Sequence, residues 1–184
     1  MTELARCPWG NSTEEYQRYH DEEWGVELHG EPELYERMTL EGFQSGLSWI
    51  TILRKRPAFR AAFAGFDPKL VAEFDERDVA RLMADAGIVR NRAKILAAIT
   101  NARAVGELDR PLDELLWSFA PTGRRRRPRT LDEVPAITEE SKAMAKELRR
   151  RGFAFVGPTT MYALMQATGM VDDHISTCWR AKQK

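Results

Sequence analysis

The two cysteines of this chain, Cys7 and Cys178, lie near its opposite ends, and each has a histidine a short distance away, His20 or His174. Thiolate sulfur and imidazole nitrogen are the ligands that tetrahedral zinc prefers. A site with four protein ligands leaves no coordination position for water or substrate, so a zinc ion held by this set would be structural. It would also tie the two ends of the chain together.

Half of this site is arranged locally, because His174 and Cys178 are four residues apart and face the same way on a helix or tight turn. Two other interpretations stay open: a disulfide between Cys7 and Cys178, or two unrelated buried thiols with incidental histidines. The chain starts without an apolar signal segment and has no run long enough to span a membrane. We therefore expect a cytoplasmic protein with reduced thiols, which favours one Zn²⁺ per chain linking residues 7–20 to residues 174–178.

The length of 184 residues and the 43% hydrophobic content predict one domain over residues 1–184. The formal net charge is zero, but residues 1–80 sum to −7 and residues 81–184 to +7. A neutral chain is no general nucleic-acid binder, so contacts to a polyanion would be local. The basic run from Arg124 to Arg129 lies between turn-forming residues and predicts a solvated loop rather than a phosphate clamp.

Capping signals predict a mostly helical chain. Period-two alternation is nearly absent, so the fold class is all-α with about eight helices. Helix starts and stops are expected at Asp67-Pro68, from Asp75 and Asp78 to Gly87, from Asn91 through Ala102, at the capping-box pair Thr130 and Glu133, from Thr138 to Gly152, and from Gly157-Pro158 to Gly169.

Residues 79–99 predict a helix, a tight turn at Gly87 and a second helix. This pattern resembles the helix-hairpin-helix element of DNA repair enzymes. In that element a glycine lets the backbone approach a DNA phosphate, which backbone amides at the start of the second helix bind. Arg90, Arg92 and Lys94 add positive charge to the same segment.

The first fifty residues hold six of the nine Trp and Tyr side chains. For Trp24 and Tyr35 we expect an aromatic core around the metal link. The other aromatic residues can instead form a slot for a flat cationic base, because their faces attract positive charge and Glu41 among them supplies a carboxylate. The alternative for Glu41 is a helix-surface carboxylate paired with an arginine. The candidate slot residues are Tyr16, Tyr19, Trp49 and Glu41.

Several segments, in order and across almost the whole chain, are similar to the type I 3-methyladenine DNA glycosylase family. They are RCPW, YQRYHDEEWGV, LEGFQSGLSWITIL, DAGIVRNRAKI, RRRGFAFVGPTTMYALMQATGMVDDH and the terminal Cys178. The chain departs from the family at Phe43, a position that is often polar, and in the arginine run 124–127, which is not a family motif.

The resemblance implies the fold of the helix-hairpin-helix superfamily and removal of 3-methyladenine from alkylated double-stranded DNA. It also implies a structural zinc on the Cys2His2 set. It places Glu41, Tyr16, Tyr19 and Trp49 around the excised base, with Trp9 at the same pocket. Leu47, within Gly46-Leu47-Ser48, would fill the gap that the flipped base leaves, and Gly87 and Arg90 would contact DNA.

Methylation at N3 makes adenine cationic and activates it as a leaving group, so the enzyme must mainly extrude and recognise the base. The sequence places no lysine at the sugar, which predicts a monofunctional, monomeric enzyme that releases free 3-methyladenine and leaves an abasic site. Two other classes of protein remain: a non-catalytic DNA-binding module whose chain ends are joined by zinc, and a zinc hydrolase. The carboxylate among the aromatic residues opposes the first, and the closed Cys2His2 set opposes the second.

Overall fold

The computed structural model describes residues 4–123 and 125–182, and these ranges contain helices and loops but no β-strand. The expected all-α fold is confirmed, while Arg124 of the basic run lies outside the described residues. The α-helices within the two ranges are α1 Glu14–Glu22, α2 Glu31–Gln44, α3 Trp49–Ala62, α4 Pro68–Ala72, α5 Glu76–Ala84, α6 Arg92–Gly106, α7 Leu112–Trp117, α8 Glu139–Arg150 and α9 Pro158–Ala167. Short 3-10 helices are formed by Pro8–Asn11, Ala64–Phe66, Leu131–Glu133 and Trp179–Lys182.

Four of the predicted helix starts are confirmed, because the side chains of Asp67, Asp75, Asn91 and Thr138 each accept a hydrogen bond from a backbone N–H in the first turn. These bonds satisfy donors that have no partner within the helix. The starts of α4, α5, α6 and α8 therefore follow directly from local sequence, while α5, α6 and α8 end at Ala84, Gly106 and Arg150 rather than at the predicted Gly87, Ala102 and Gly152.

The capping box predicted for Thr130 and Glu133 is wrong. Thr130 makes no side-chain cap, and only the short 3-10 helix Leu131–Glu133 follows it. The carboxylate of Glu133 instead accepts the backbone N–H of Arg129 at 2.8 Å. The physical reason is Pro135, since a proline disfavours helical geometry at the residue before it and ends the turn there.

Helix α2 passes through the interior, where it contacts α3, α6, α7 and α9. Residues 34–43 are all buried, as expected for a helix that is surrounded by other helices. Phe43 is 1% exposed and packs against Phe59 at 4.8 Å between ring centroids, so this departure from the family serves the core. Any polar group on α2 must therefore find a partner inside the protein or face a cavity.

The end of α9 lies against the segment that follows α1. The backbone N–H of Leu28 donates to the Thr168 carbonyl at 3.0 Å. Gly169 has φ +75° at this point, and a Cβ there would lie 2.6 Å from the backbone of Val26. Only glycine permits both the conformation and the close approach. This contact fixes the last turn of α9 beside the N-terminal helices.

None of the helices in the described ranges has the combination of length and apolar character that a membrane span requires.

Candidate active site

A cavity of about 420 Å³ opens between α1, α2, α9 and the first turn of α3. All five residues predicted to form the base slot line it, and so does Trp24, which the sequence placed in the core. Tyr35 is fully buried, but it lies in the main core rather than around the metal link, and its hydroxyl donates to the Ala98 carbonyl at 2.7 Å. The lining residues are Trp9, Tyr16, Tyr19, Trp24, Glu41, Gln44, Trp49, Leu131, Val134, Pro135, Ala163 and Gln166.

The aromatic walls of the cavity are fixed by contacts to one another and to the backbone. The rings of Tyr19 and Trp49 lie 5.5 Å apart, and those of Trp9 and Tyr16 lie 5.6 Å apart in an edge-to-face arrangement. The Tyr16 hydroxyl accepts the backbone N–H of Ile50 at 3.0 Å, which ties α1 to the start of α3. Burial raises the pKa of Tyr19, so this hydroxyl stays neutral.

The buried part of α2 carries three charged side chains, of which two have counterions. Glu36 binds Arg60 through both carboxylate oxygens, and Arg37 forms a salt bridge with Glu23. For the third, Glu41, no salt bridge or hydrogen bond to the carboxylate occurs within the described residues. A buried charge without a counterion is costly, so its position indicates a function rather than a contribution to stability.

Glu41 is 5% exposed, and burial raises its pKa to about 8 although the positive charge of Arg37 opposes this shift. The interpretation of Glu41 as a helix-surface carboxylate paired with an arginine does not fit this environment. Glu23 shows the contrast. Burial also acts to raise its pKa, but hydrogen bonds from Arg56 at 2.7 Å and the charge of Arg37 outweigh burial and lower it to about 2.

Sequence reasoning missed several lining residues. Gln44 lies three positions after Glu41 on the same helix face, so helical spacing offered a signal for it. Gln166 on α9 and the irregular segment Leu131 to Pro135 reach the cavity only through the tertiary fold. No local pattern in the sequence marks them.

A second hollow of about 380 Å³ shares Glu41 and Ala163 with the cavity and contains Leu47. Leu47 is 41% exposed on the loop between α2 and α3, where a hydrophobic side chain of this size is available for insertion. Thr159 and Thr160, in the first turn of α9, line the opposite side. Backbone N–H groups at a helix start favour anions, so the start of α9 is a favourable position for a phosphate.

Residues 79–99 form the predicted hairpin of α5, turn and α6. At the turn, the N–H of Gly87 donates to the Asp85 carboxylate at 2.8 Å, and the Ala86 carbonyl accepts from Lys55 at 3.1 Å. The Gly87 amide is thus already bonded within the protein. Arg90, next to the turn, is exposed.

The other two cations of the hairpin are engaged elsewhere. Arg92 pairs with Glu76 at 3.0 Å. Lys94 is 9% exposed, and its ammonium donates to the carbonyls of Phe43 at 2.8 Å and Ser45 at 2.5 Å. Lys94 therefore places its positive charge inside the protein and not on the exposed surface of the hairpin. It binds the carbonyls at the end of α2, where a cation is favoured, and joins the hairpin to the loop that carries Leu47.

The described part of the arginine run is only partly a solvated loop. Arg126 and Arg129 are exposed, but Arg127 donates to Asp172 at 3.0 Å and to the His174 carbonyl at 3.2 Å. Arg125 donates to the Tyr162 hydroxyl at 3.3 Å. Arg125 therefore binds α9, and Arg127 binds the segment that contains the metal-site residue His174.

The Cys2His2 set comes together as predicted. All four residues are buried, and their potential ligand atoms lie within 4.8 Å of one another. The Cys178 Sγ lies 3.5 Å from His20 Nε2 and 3.6 Å from His174 Nδ1, and the Cys7 Sγ lies 3.7 Å from His174 Nδ1. In a tetrahedron with the usual zinc–sulfur and zinc–nitrogen bonds these separations would be about 3.6 Å. The cluster could hold a metal ion that ties the termini together.

The outer nitrogen of each histidine is also engaged. His20 Nδ1 lies 2.8 Å from Asp21, and His174 Nε2 lies 2.9 Å from the Trp24 carbonyl. Such contacts fix which ring nitrogen faces a metal. Gly10 completes the arrangement, because a Cβ there would lie 2.8 Å from the His20 ring. Both cysteines are free thiols rather than a disulfide.

The helical fold and the aromatic cavity with one unpaired buried carboxylate define a protein that accommodates a single flat, positively charged ring. The family model described as methyladenine glycosylase matches residues 9–181. The chain belongs to the methyladenine glycosylase family.

Relatives and solved structures match nearly the full chain. It is 46% identical over 179 residues to DNA-3-methyladenine glycosylase 1 of Escherichia coli strain K12, covering 95% of this chain and 96% of that one. The DNA-3-methyladenine glycosylase of Haemophilus influenzae is 42% identical over 182 residues, with the same coverage. A structure of the Staphylococcus aureus enzyme, determined to explain 3-methyladenine recognition, superposes with a TM-score of 0.89 at 30% identity and covers 95% of each chain.

Proposed function

We propose that this chain is a DNA repair glycosylase that hydrolyses the N-glycosidic bond of 3-methyladenine in alkylated double-stranded DNA. One observation carries the proposal: the unpaired, buried carboxylate of Glu41 lies among aromatic rings in a cavity large enough for one base. The names of the relatives from E. coli and H. influenzae agree with it.

In this proposal the methylated base enters the cavity after it has been flipped out of the duplex. Tyr19 and Trp49 contact the ring, with stacking that is worth roughly 1–3 kcal/mol per base in comparable sites. Trp9 and Tyr16 close the side of the cavity. Aromatic faces favour a cationic purine over a neutral one, which gives selectivity for the alkylated base.

Glu41 is the proposed catalytic residue, since it would touch the leaving base. An ionised carboxylate only accepts hydrogen bonds, so it pairs with the exocyclic amine and ring N–H donors of the modified base and balances its charge. The positive charge of the bound base also favours the ionised form of a carboxyl group whose pKa burial has raised. The leaving group is already activated, so a strong general acid is not required.

DNA contacts are proposed on the surface around this cavity. Leu47 inserts where the base has left, and the phosphates lie along the start of α9 and the turn at Gly87 with Arg90. Lys94 joins these two parts through its bonds to the carbonyls of Phe43 and Ser45.

A zinc ion on Cys7, His20, His174 and Cys178 is the proposed cofactor, one per chain. When bound, it supplies no chemistry at the base and links the chain ends by a closed set of four ligands. Trp9 and Trp24 contact both this site and the cavity, with Trp9 5.1 Å from the His20 ring and Trp24 4.7 Å from the His174 ring, so the ion would help to hold the cavity wall. We further propose that the protein acts as a monomer in the cytoplasm.

The reaction is proposed to stop at the abasic site. Among the described residues that line the cavity there is no lysine, so no amine is placed to form a Schiff base with the sugar. Lys94 is held on backbone carbonyls nearby.

The test is release of free base from methylated duplex DNA, resolved by chromatography, with unmethylated DNA as the control. We expect 3-methyladenine in the soluble fraction and strands that break only after alkali treatment. Binding of DNA without release of any base would instead support a non-catalytic DNA-binding module.

A further inference from the structure

The orientation of one amide in the cavity is fixed. Gln166 on α9 lines the cavity, and its Nε2 donates to Asp173 Oδ2 at 3.1 Å. Because a carboxylate only accepts hydrogen bonds, the nitrogen must be the amide atom that faces Asp173. The Oε1 atom is then the polar atom of this side chain that remains for the cavity.

Asp173 is itself held in place by neighbouring donors. It is 4% exposed, and the Tyr162 hydroxyl donates to the same Oδ2 atom. The guanidinium of Arg125 lies 3.8 Å from its other oxygen. These contacts come from α9 and from the arginine loop, so Gln166 is oriented by a buried network rather than by its own rotamer preference.

We propose that Gln166 is a specificity-determining residue, whose amide oxygen selects purines that carry a 6-amino group over purines that carry a 6-oxo group. The inference rests on the proposed function and names what the same cavity reads. An exocyclic amine has two N–H groups, so it can donate to both Glu41 and Gln166. A 6-oxo group would place its oxygen against the amide oxygen of Gln166, which is two acceptors with no donor between them.

The opposite orientation of the amide would invert this preference. With Nε2 in the cavity, Gln166 would donate to a 6-oxo group, and the carboxylate of Asp173 would face Oε1, another acceptor. Asp173 therefore acts as a positioning residue for Gln166.

The experiment measures tryptophan fluorescence during titration with free 3-methyladenine and with 3-methylhypoxanthine, in which a 6-oxo group and a ring N–H replace the exocyclic amine. The parent is expected to prefer 3-methyladenine by at least about tenfold, the effect of one well-placed hydrogen bond and one avoided mismatch. Gln166→Met keeps the length of the side chain but removes the amide. It should weaken 3-methyladenine binding by about fivefold to tenfold and reduce the preference to less than about threefold.

Gln17→Met is the matched control, because Gln17 also carries a side-chain amide on a helix but does not line the cavity. It should leave the preference unchanged. Asp173→Asn is the second variant and serves if Gln166→Met fails to fold. Asparagine can present either atom to Gln166, so the preference should fall while 3-methyladenine still binds.

A folded Gln166→Met protein that keeps the parent's preference overturns the inference, as does an equal loss in Gln17→Met. Either result leaves the proposed function intact as long as the parent releases 3-methyladenine from DNA. A parent that binds neither free base and releases none from DNA overturns the proposed function, and the inference with it.

Discussion

Glu41 differs from the other charged side chains of α2 because it faces a cavity and not a counterion. Glu36 and Arg37, one turn earlier on the helix, are neutralised by Arg60 and Glu23. The cost of burying Glu41 is offset only when a positively charged ligand enters the cavity. The missing counterion therefore explains both the cost of burying Glu41 and its proposed catalytic role.

Glu41→Gln should lower the affinity for free 3-methyladenine. The variant keeps the shape of the side chain but removes the charge and turns part of the acceptor into a donor. The loss is expected to be roughly 1.5–3 kcal/mol, or one to two decades in Kd, measured by isothermal titration calorimetry. Glu36→Gln, on the same helix but outside the cavity, is the control and should bind as the parent does. Equal affinities for Glu41→Gln and the parent would refute the role of Glu41.

The same variant should change how stability depends on pH. The pKa of Glu41 is about 8 in the folded protein, against 4.5 as its ordinary value, so the folded state binds more protons between these limits. The parent therefore loses stability as pH rises from 4.5 to 8, and Glu41→Gln lacks this loss. Near pH 5 the two proteins should be similar in stability, and at pH 9 the variant should be the more stable by a few kcal/mol, at about 1.4 kcal/mol per pKa unit.

Urea unfolding at pH 5 and pH 9 measures this difference. Groups other than Glu41 titrate alike in both proteins, so they cancel in the comparison. If the unfolding free energy changes by the same amount from pH 5 to pH 9 in the parent and in Glu41→Gln, the pKa of Glu41 is not raised in the folded protein.

At the scale of elements, the hairpin of α5 and α6 and the start of α9 flank the loop that carries Leu47. The hairpin of α5 and α6 reaches it through Lys94, and the start of α9 lines the hollow beside it. Gly87 is a poor site for a test, because a Cβ there would lie 3.0 Å from Ala58 and 2.9 Å from Asp85 and disturb the packing. An exposed residue on each element, Arg90 at the hairpin and Thr159 on α9, allows the two candidate DNA contacts to be tested separately.

Arg90→Gln and Thr159→Glu should both weaken binding to undamaged duplex DNA, measured by fluorescence anisotropy over a range of salt concentrations. Loss of one phosphate contact at Arg90 should reduce the slope of log K against log salt by about 0.9. Thr159→Glu places a negative charge at the start of α9, where it would repel a phosphate. Lys69→Gln, an exposed lysine on α4, is the control. If one variant behaves like Lys69→Gln, the element that carries it does not bind the DNA backbone.

Much of the element scale could be predicted from sequence, because capping is local. Asp67, Asp75, Asn91 and Thr138 each mark a helix start with their own side chain. The pair Thr130 and Glu133 failed because Pro135 ends the turn. What the sequence could not reveal depends on distant partners. Lys94 lies on a basic stretch but is buried against the end of α2, and Gln166 obtains its role from Asp173 and the cavity.

At the scale of the whole molecule, the Cys2His2 cluster joins residues that are far apart in the chain. Its four members could be identified from sequence because cysteine and histidine are rare here, with 2 and 3 copies. The geometry of the four residues could not be predicted from sequence, since it requires the chain ends to meet. The cluster lies directly behind Trp9 and Trp24, whose rings are 5.1 Å apart.

Cys178→Ser should destabilise the protein and release its metal. We expect the Tm to fall by roughly 5–10 °C, which corresponds to about 2–3 kcal/mol for a chain of this size. Zinc content by mass spectrometry should drop from one ion per chain, while the exposed Thr177→Ser control should keep it. A parent protein that is stable and free of metal after purification in zinc-containing buffer would rule out the structural zinc.

The most direct test of the central claim is a crystal structure of this protein with 3-methyladenine. We expect the base to lie in the aromatic cavity, in contact with Tyr19 and Trp49, with its exocyclic amine within about 3.2 Å of the Glu41 carboxylate. A base bound outside this cavity, or inside it without any contact to Glu41, would show that Glu41 does not recognise the base.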